Sequence, residues 1–403
     1  MKKYFLILLL SSCTLVPDYE QPKIATAEKF SQDQNMQNGS EVTKNWWREF
    51  QNPELNSLIN QSLEHNTDLS ASLQQIAQAR ANAKIAGSDL YPTIDASATA
   101  SRTTQYNHLS GSTANFGNSN RSRESLGLGL DISYEIDLWG RNRARAESAE
   151  VSAKATQYDY DALSLVVASD TANYYAQFLS LNDRIRIAQQ NLANARDVLK
   201  VIQAQYDAGA VSGLELAQQN ASLSSFETGI NSLKDQRNVT ITQLAILTGQ
   251  TPEGFNLKGG GLNELSLPSI KALQPGELVE RRPDIKAAEE QLIAANIDIG
   301  VARAEMFPSL QIGAGPALAA ISTSSPVTFS NALFASITAP LFRGGALEGN
   351  LELTRARKEE LVSNYTGVVL ASLKEVEDAL SGVATSKLNV VSSANSIVNS
   401  QKA

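Results

Sequence analysis

Cysteine is nearly missing from the 403 residues: the single Cys13 excludes an internal disulfide and any Cys-rich zinc site. Two histidines, His65 and His108, stand far apart, which excludes a His-rich metal centre. Aromatic residues make up 6% of the chain, little for compact cores, where Phe, Tyr and Trp supply much of the buried area. A basic surplus is lacking too: the formal net charge of −8 argues against a nucleic-acid partner, whose phosphates need a basic face. No apolar run approaches the ~20 residues of a membrane helix. Hydrolase elbows, His-Glu-x-x-His helices, phosphate-cradling loops and dinucleotide fingerprints are all absent, and Gly259-Gly260-Gly261 lacks a following Lys-Ser/Thr. No enzyme activity, catalytic residue, metal or cofactor is therefore expected. Length alone allows two or three ordinary domains, and polar, Ala-rich stretches suggest extended helices packed side by side.

The start of the chain reads as an address. Lys2 and Lys3 precede an apolar run from Tyr4 to Leu10 and the small residues Ser11-Ser12, directly before Cys13. Residues 1–12 form an export signal too short to span a bilayer stably. The small residues and cysteine resemble the lipobox of bacterial lipoproteins, in which the thiol is acylated and the leader removed. A covalent lipid on Cys13 converts a soluble chain to an anchored one. Thr14 stands where such lipoproteins often carry an inner-membrane retention Asp, so the resemblance implies sorting to the outer membrane.

Glycine and proline punctuate the rest of the chain. Neither occurs from Arg141 to Ala208, a stretch bracketed by Gly140 and Gly209. About 68 residues at ~1.5 Å each make a rod of roughly 100 Å. Its apolar stripe, with Leu163, Val167, Tyr174, Phe178 and Leu181, requires neighbouring helices. The segment Asp207-Ala208-Gly209-Ala210-Val211-Ser212-Gly213 turns the chain back into a helix running to Thr248. Trp46 and Trp47 are expected to pack against these helices.

Four segments instead alternate with period two: about 93–106, 123–137, 309–319 and 327–340. In the second, Leu126, Leu128, Leu130, Ile132, Tyr134 and Ile136 alternate with Ser, Gly and acidic residues. Each suffices for a tilted membrane strand of ~9–11 residues, and the Ser/Asn/Gly-rich loop Asn107 to Arg121 suits an outer face. A soluble half-buried sheet fits the periodicity equally well. The export signal and the rods favour the membrane. Four strands cannot close a barrel, so several chains must share one.

The chain also repeats itself. Asp68-Leu69 matches Asp284-Ile285, and Leu90-Tyr91-Pro92-Thr93-Ile94 matches Met306-Phe307-Pro308-Ser309-Leu310. Asp137-Leu138-Trp139-Gly140-Arg141 parallels Pro340-Leu341-Phe342-Arg343-Gly344-Gly345. Tyr91, Pro92, Phe307 and Pro308 mark helix-to-strand steps, and Trp139 and Phe342 strand exits, where a membrane surface favours aromatics. The expected domains are 1–12 (signal), 13–45 (lipidated extension), 46–275 (first repeat, with the hairpin at 141–248 and a linking segment at 249–275) and 276–403 (second repeat, with helices at 283–306 and from 345). Aligning Tyr160 with Tyr365 gives an offset of 205, which carries Asp207 to position 412, beyond Ala403. The chain is therefore expected to stop before its second tip and returning helix.

The stretch Leu278-Val279-Glu280-Arg281-Arg282-Pro283-Asp284-Ile285, continuing through Ala287-Ala288-Glu289 to Ile299-Gly300-Val301-Ala302-Arg303-Ala304, resembles the TolC-like outer-membrane efflux family. So do Ala339-Pro340-Leu341-Phe342-Arg343-Gly344-Gly345 and Asp137-Leu138-Trp139-Gly140-Arg141, while Cys13 followed by Pro17-Asp18-Tyr19 and Pro22 resembles its lipoprotein branch. The resemblance implies a mainly α chain with long antiparallel helical hairpins and four strands, three copies closing a twelve-stranded barrel. It implies the exit duct of a tripartite pump in the outer membrane, passing small solutes and partnered by a periplasmic adaptor and an inner-membrane transporter. It places the adaptor at the tip: Asp207, Gly209, Ser212 and Gly213. Separately from the resemblance, Pro283 suits a first helical turn, Asp284 its dipole, and Arg281 and Arg282 neighbouring carboxylates. The alternative is a trimeric coiled-coil surface lipoprotein or adhesin without transport.

Overall fold

A computed structural model describes residues 15–25, 27, 29–31, 45–105, 121–268, 274–321 and 326–402. The leader, Cys13 and most of the expected outer loop lie outside them. Helix α1 (Pro53–His65) starts on Asn52, whose side chain accepts the Leu55 N–H at 2.8 Å, with Pro53 in the first turn. Asn66 ends α1 and caps α2 (Thr67–Ser88) by accepting from the Asp68 and Leu69 amides. Strands β1 (Thr93–Gln105) and β2 (Arg121–Ile136) come after it. Next are α3 (Arg141–Asp207), 67 residues without a break, and α4 (Gly213–Leu247). Helix α5 (Pro275–Arg281) stops at Arg282, held extended before Pro283, and α6 (Pro283–Ala304) starts at that proline. Strands β3 (Ser309–Ala320) and β4 (Thr328–Thr338) lead to α7 (Ala346–Lys402), entered through Gly344 and Gly345, both at positive φ.

Two compact units divide the chain. One takes Met1–Lys23, Gln78–Ala155 and Ala288–Thr366; the other takes Ile24–Ala77, Thr156–Ala287 and Gly367–Ala403. In the first lies an antiparallel sheet in the order β1-β2-β3-β4, a meander despite the helices between β2 and β3. Pro316 sits in central strand β3, where a missing N–H should cost a ladder bond. There the β2–β3 ladder is interrupted, between the pairs Gly129↔Ala317 and Ile132↔Ala314. In the second unit Trp47 is buried with Leu55, Leu58, Ile59, Tyr175, Phe178 and Leu179, and Trp46 and Phe50 pack on that cluster. Also in that unit, the last turns of α7 leave Leu388, Val390, Val391, Ile397 and Val398 exposed.

Candidate functional site

The registers sort every strand residue onto one of two faces. Ile94, Ala96, Ala98 and Ala100 lie opposite Ile132, Leu130, Leu128 and Leu126. The same face continues with Leu310, Ile312, Ala314, Leu318 and Ala320, then Phe329, Leu333, Ala335 and Ile337. Apart from Asn331, opposite Pro316, it is apolar and uncovered: Leu128 is 59% exposed and Leu333 78%. Soluble monomers rarely leave so continuous an apolar patch bare. Leu126 to Ile136 spans ten residue steps, about 34 Å along the strand. At a tilt near 40° that projects onto about 26 Å, the height of the apolar band of a membrane barrel. Arg102 and Glu124, paired at 3.7 Å, close this face toward the β1–β2 loop.

The opposite face carries Thr93, Asp95, Ser97, Thr99, Ser101, Ser125, Asp131, Ser133, Glu135 and Gln311. Hydroxyls pair across it, Thr93 with Ser133 at 2.9 Å and Ser101 with Ser125 at 2.7 Å. Asp95 lies directly opposite Asp131, a like-charge pair that water must screen. Phe334, the large exception, covers Gly313, where a Cβ would strike its ring. One face suits lipid and the other suits water.

The expected junction residues are only partly brought together. Trp139, just past β2, stacks on Phe307, just ahead of β3, with ring centroids 4.7 Å apart. Its indole N–H donates to the Pro308 carbonyl at 2.7 Å. Tyr91 and Phe342, the matching aromatics beside edge strands β1 and β4, are instead 71% and 89% exposed. Arg141 grips Glu135 with contacts of 2.7 and 2.8 Å.

A feature that the sequence pattern did not reveal is the path of residues 15–21 along α6 and α7. The Leu15 carbonyl accepts from Arg303 at 3.1 Å, and the Pro17 carbonyl from Asn296 at 2.7 Å. Tyr19 reaches Glu289, and Gln21 donates to Tyr365 at 3.1 Å. Burial, reinforced by the facing Glu289 carboxylate, pushes the Tyr19 phenol up; burial also pushes Glu289 up. Val16 crosses Gly300 so closely that a Cβ there would meet its backbone nitrogen at 2.9 Å. Gly300→Ala is expected to lift this strap at a cost of about 1 kcal/mol. Faster protease cleavage within residues 15–25, with α6 still protected, is the expected readout.

At the hairpin tip, Gly209 adopts φ +74 and α3 ends with the Ala210 N–H bonded to the Gln205 carbonyl at 2.8 Å. Asp207 accepts from Gln203 at 2.9 Å, and Gly213 faces Tyr206 without crowding. Ser212 accepts the Leu214 N–H, while Glu215 accepts the Ser212 amide at 3.0 Å and contacts its hydroxyl. The Ser212 hydroxyl bond first, and the Ser212 amide with it, hold Glu215 below the usual carboxylate range. The return is antiparallel, Arg196 bonding Glu227 at 2.9 Å. Asp207, Ser212 and Leu214 are exposed, which makes the tip a mixed polar and apolar surface. Gly209→Ala and Ser212→Ala are each expected to cost about 1 kcal/mol, through φ strain and a lost cap respectively. Hydrogen exchange in the first turn of α4 should quicken roughly fivefold in Ser212→Ala.

Arg282 donates twice to Asp284, at 3.0 and 2.7 Å, and lies 2.7 Å from Glu375 on α7. Burial alone raises the Asp284 carboxyl, but the Arg282 guanidinium outweighs it and holds it below the usual range. Arg281 is exposed at the end of α5. Among the described residues, no group of His, Cys, Asp and Glu could hold a metal ion, and no helix is long and apolar enough to cross a membrane.

The chain as a whole is similar to known proteins. The chain matches the family described as "Outer membrane efflux protein" over residues 58–250 and 275–397. It is 33% identical over 379 residues to the pyoverdine export outer membrane protein OpmQ of Pseudomonas aeruginosa, covering 93% of this chain and 80% of that protein. Identity to the cation efflux system protein CusC of Escherichia coli K12 is 28% over 382 residues, covering 93% of this chain and 81% of that protein. Among solved structures, the outer-membrane channel OprN is similar at a TM-score of 0.84 and 28% identity, over 94% of this chain and 85% of OprN. The open state of the Neisseria gonorrhoeae MtrE outer membrane channel is similar at a TM-score of 0.74 and 28% identity, over 95% of this chain and 84% of MtrE.

Proposed function

This chain belongs to the outer membrane efflux protein family, and from that premise we propose how its geometry makes an export channel. The observation that carries the reading is the sorting of one sheet into a bare apolar face and a hydrated polar face. A four-stranded sheet leaves β1 and β4 with unpaired edges, which lipid does not tolerate. Successive antiparallel pairing makes β1 and β4 antiparallel to each other. The β4 edge of one copy can therefore continue the ladder onto β1 of the next. Such head-to-tail contact closes a ring, and three copies give twelve strands. The polar face then lines a water-filled lumen, and solutes cross it passively.

In this reading the α3–α4 hairpins belong to the periplasmic part of the protein. Their tips, at Asp207, Gly209, Ser212 and Gly213, meet a periplasmic adaptor coupled to an inner-membrane transporter. A lipid on Cys13 is the anchor. The strap supports that role: Leu15 is fixed at Arg303, one to two turns ahead of Ser309, where β3 begins. Cargo choice falls to the inner-membrane partner. A surface lipoprotein or adhesin without transport draws no support from these relatives.

The test is conductance. Purified protein added to a planar bilayer is expected to give stepwise ohmic currents, and deletion of the gene to sensitise cells to exported compounds. A lipid-inserted trimer that passes no current would overturn the channel reading. Leu214→Glu at the tip is expected to abolish adaptor capture while conductance stays.

A further inference from the structure

We propose that Phe334 gives the channel wall a contact site for the aromatic parts of passing solutes; this rests on the water-filled lumen described above and names what a solute touches there.

Leu333 and Phe334 are adjacent on β4, so only one of them can face lipid. The register sets Leu333 opposite Ala314 on the apolar face and Phe334 opposite Gly313 on the polar one. Among the described strand residues, Phe334 is then the only large apolar side chain on the polar face. Its companions there are charged, hydroxylic or amide residues, glycines and alanines. The same pairings fix its level. Gly313 lies opposite Ser133, and Ser133 opposite Thr93, the first residue of β1. Phe334 therefore stands at the end of the sheet where α2 enters and α3 leaves, far from the β1–β2 loop. Beside it, toward that loop, the polar face of β3 and β4 carries Gly315, Ala332 and Ala317, none with more than a methyl group. A planar group can approach the ring from that side without meeting a larger neighbour.

Packing accounts for part of this arrangement. The Phe334 ring leans across the ladder onto Gly313, where a Cβ would strike Cζ and Cε1. An aromatic side chain that covers a strand glycine restores packing the glycine cannot supply. That role needs only the covered part of the ring, and 43% of Phe334 remains exposed, on a face that otherwise offers water polar partners. Exposed rings attract other rings through offset or edge-to-face contacts, and cations through their faces.

Size decides between a gate and a contact. Twelve strands ~4.8 Å apart and tilted about 40° enclose a lumen ~24 Å across between backbones. Three copies place three rings at one level by symmetry, each leaning along the wall, which leaves the centre open. A solute with an aromatic group touches one ring and moves on. The contact lengthens its stay without blocking its path.

The experiment compares two probes on the full-length protein in planar bilayers. Tetraphenylphosphonium and tetrabutylphosphonium carry the same charge and similar bulk, so Asp95 and Asp131 on the polar face act alike on both. Each is added from the side of the β1–β2 loop, and the lifetime of its current blocks is measured. In wild type the aromatic probe is expected to stay roughly fivefold longer than the aliphatic one. Phe334→Tyr should keep that ratio. Phe334→Leu, which still covers Gly313, should abolish it with little change in the open-channel current, and so should Phe334→Ala. If the smaller side chain prevents assembly, the leucine variant alone carries the comparison. Equal lifetimes in wild type, or a ratio that survives in Phe334→Leu, would overturn the contact site and leave the channel intact. Wild type that passes no current at all overturns the lumen itself, and the site with it.

Discussion

Replacing Leu128 by arginine is expected to keep the chain out of the outer membrane. Leu128 sits mid-strand on the apolar face, opposite Ala98 on one side and Leu318 on the other, and it is uncovered in the single chain. A cationic side chain on the lipid face of a β-barrel costs ~2–4 kcal/mol at the midplane and ~0–1 near the interfaces, so at Leu128, two residues inside the band that begins at Leu126, about 1–2 kcal/mol is expected. In a barrel of three copies the cost recurs in each, so about 3–6 kcal/mol is lost from one assembly. The readout is the fraction of chain recovered as heat-resistant oligomer in the outer-membrane fraction, together with survival on an exported compound. Gln311→Arg is the matched control. It lies on the polar face opposite Glu135, where water rather than lipid meets the new charge. That variant should insert normally and alter only the conductance. Equal insertion of both variants would mean that the two faces do not meet different solvents.

The second large effect is expected at Arg282. Removing a partner from a buried ion pair leaves a desolvated charge behind, at a cost of about 3–5 kcal/mol when burial is complete. Here the Arg282 side chain is 26% exposed and that of Asp284 36%, so water softens the loss to about 2–3 kcal/mol. Arg282→Met should lower the unfolding midpoint of the solubilised protein accordingly. The double variant Arg282→Met with Asp284→Leu should recover part of it, because the one carboxylate then left without Arg282 is Glu375, which is 61% exposed and solvated by water. The pH dependence has a definite sign. The Asp284 pKa is lowered on folding, so its contribution is fully present above the ordinary carboxylate pKa near 4 and is lost as acid drives the pH through the lower folded value. Wild type and Arg282→Met should therefore converge in strong acid and differ most near neutrality.

Much of this architecture is legible along the chain because its determinants are local. Glycine and proline act through their own backbone angles, so Gly209, Gly249 and Pro283 mark helix limits whatever surrounds them. Alternation with period two shows that β2 has an apolar and a polar side, since neighbouring residues on any strand point oppositely. The family resemblance was legible for the same reason: its motifs are short runs at turns, caps and junctions.

Other features depend on distant segments meeting, and no local pattern encodes them. Arg282 and Asp284 are neighbours in sequence, but Glu375 arrives from α7. The strap is an irregular segment whose carbonyls find Asn296 and Arg303 nearly three hundred residues on. Trp139 and Phe342 each stand just past a strand in similar short motifs and read alike, yet one packs on Phe307 and the other is bare. The aromatic residues beside the strands and the period of every strand are written in the chain itself, because they depend on the chemistry of adjacent positions. Which of those aromatics packs within the molecule and which stays bare is settled in three dimensions alone, because it depends on where the sheet has its edges.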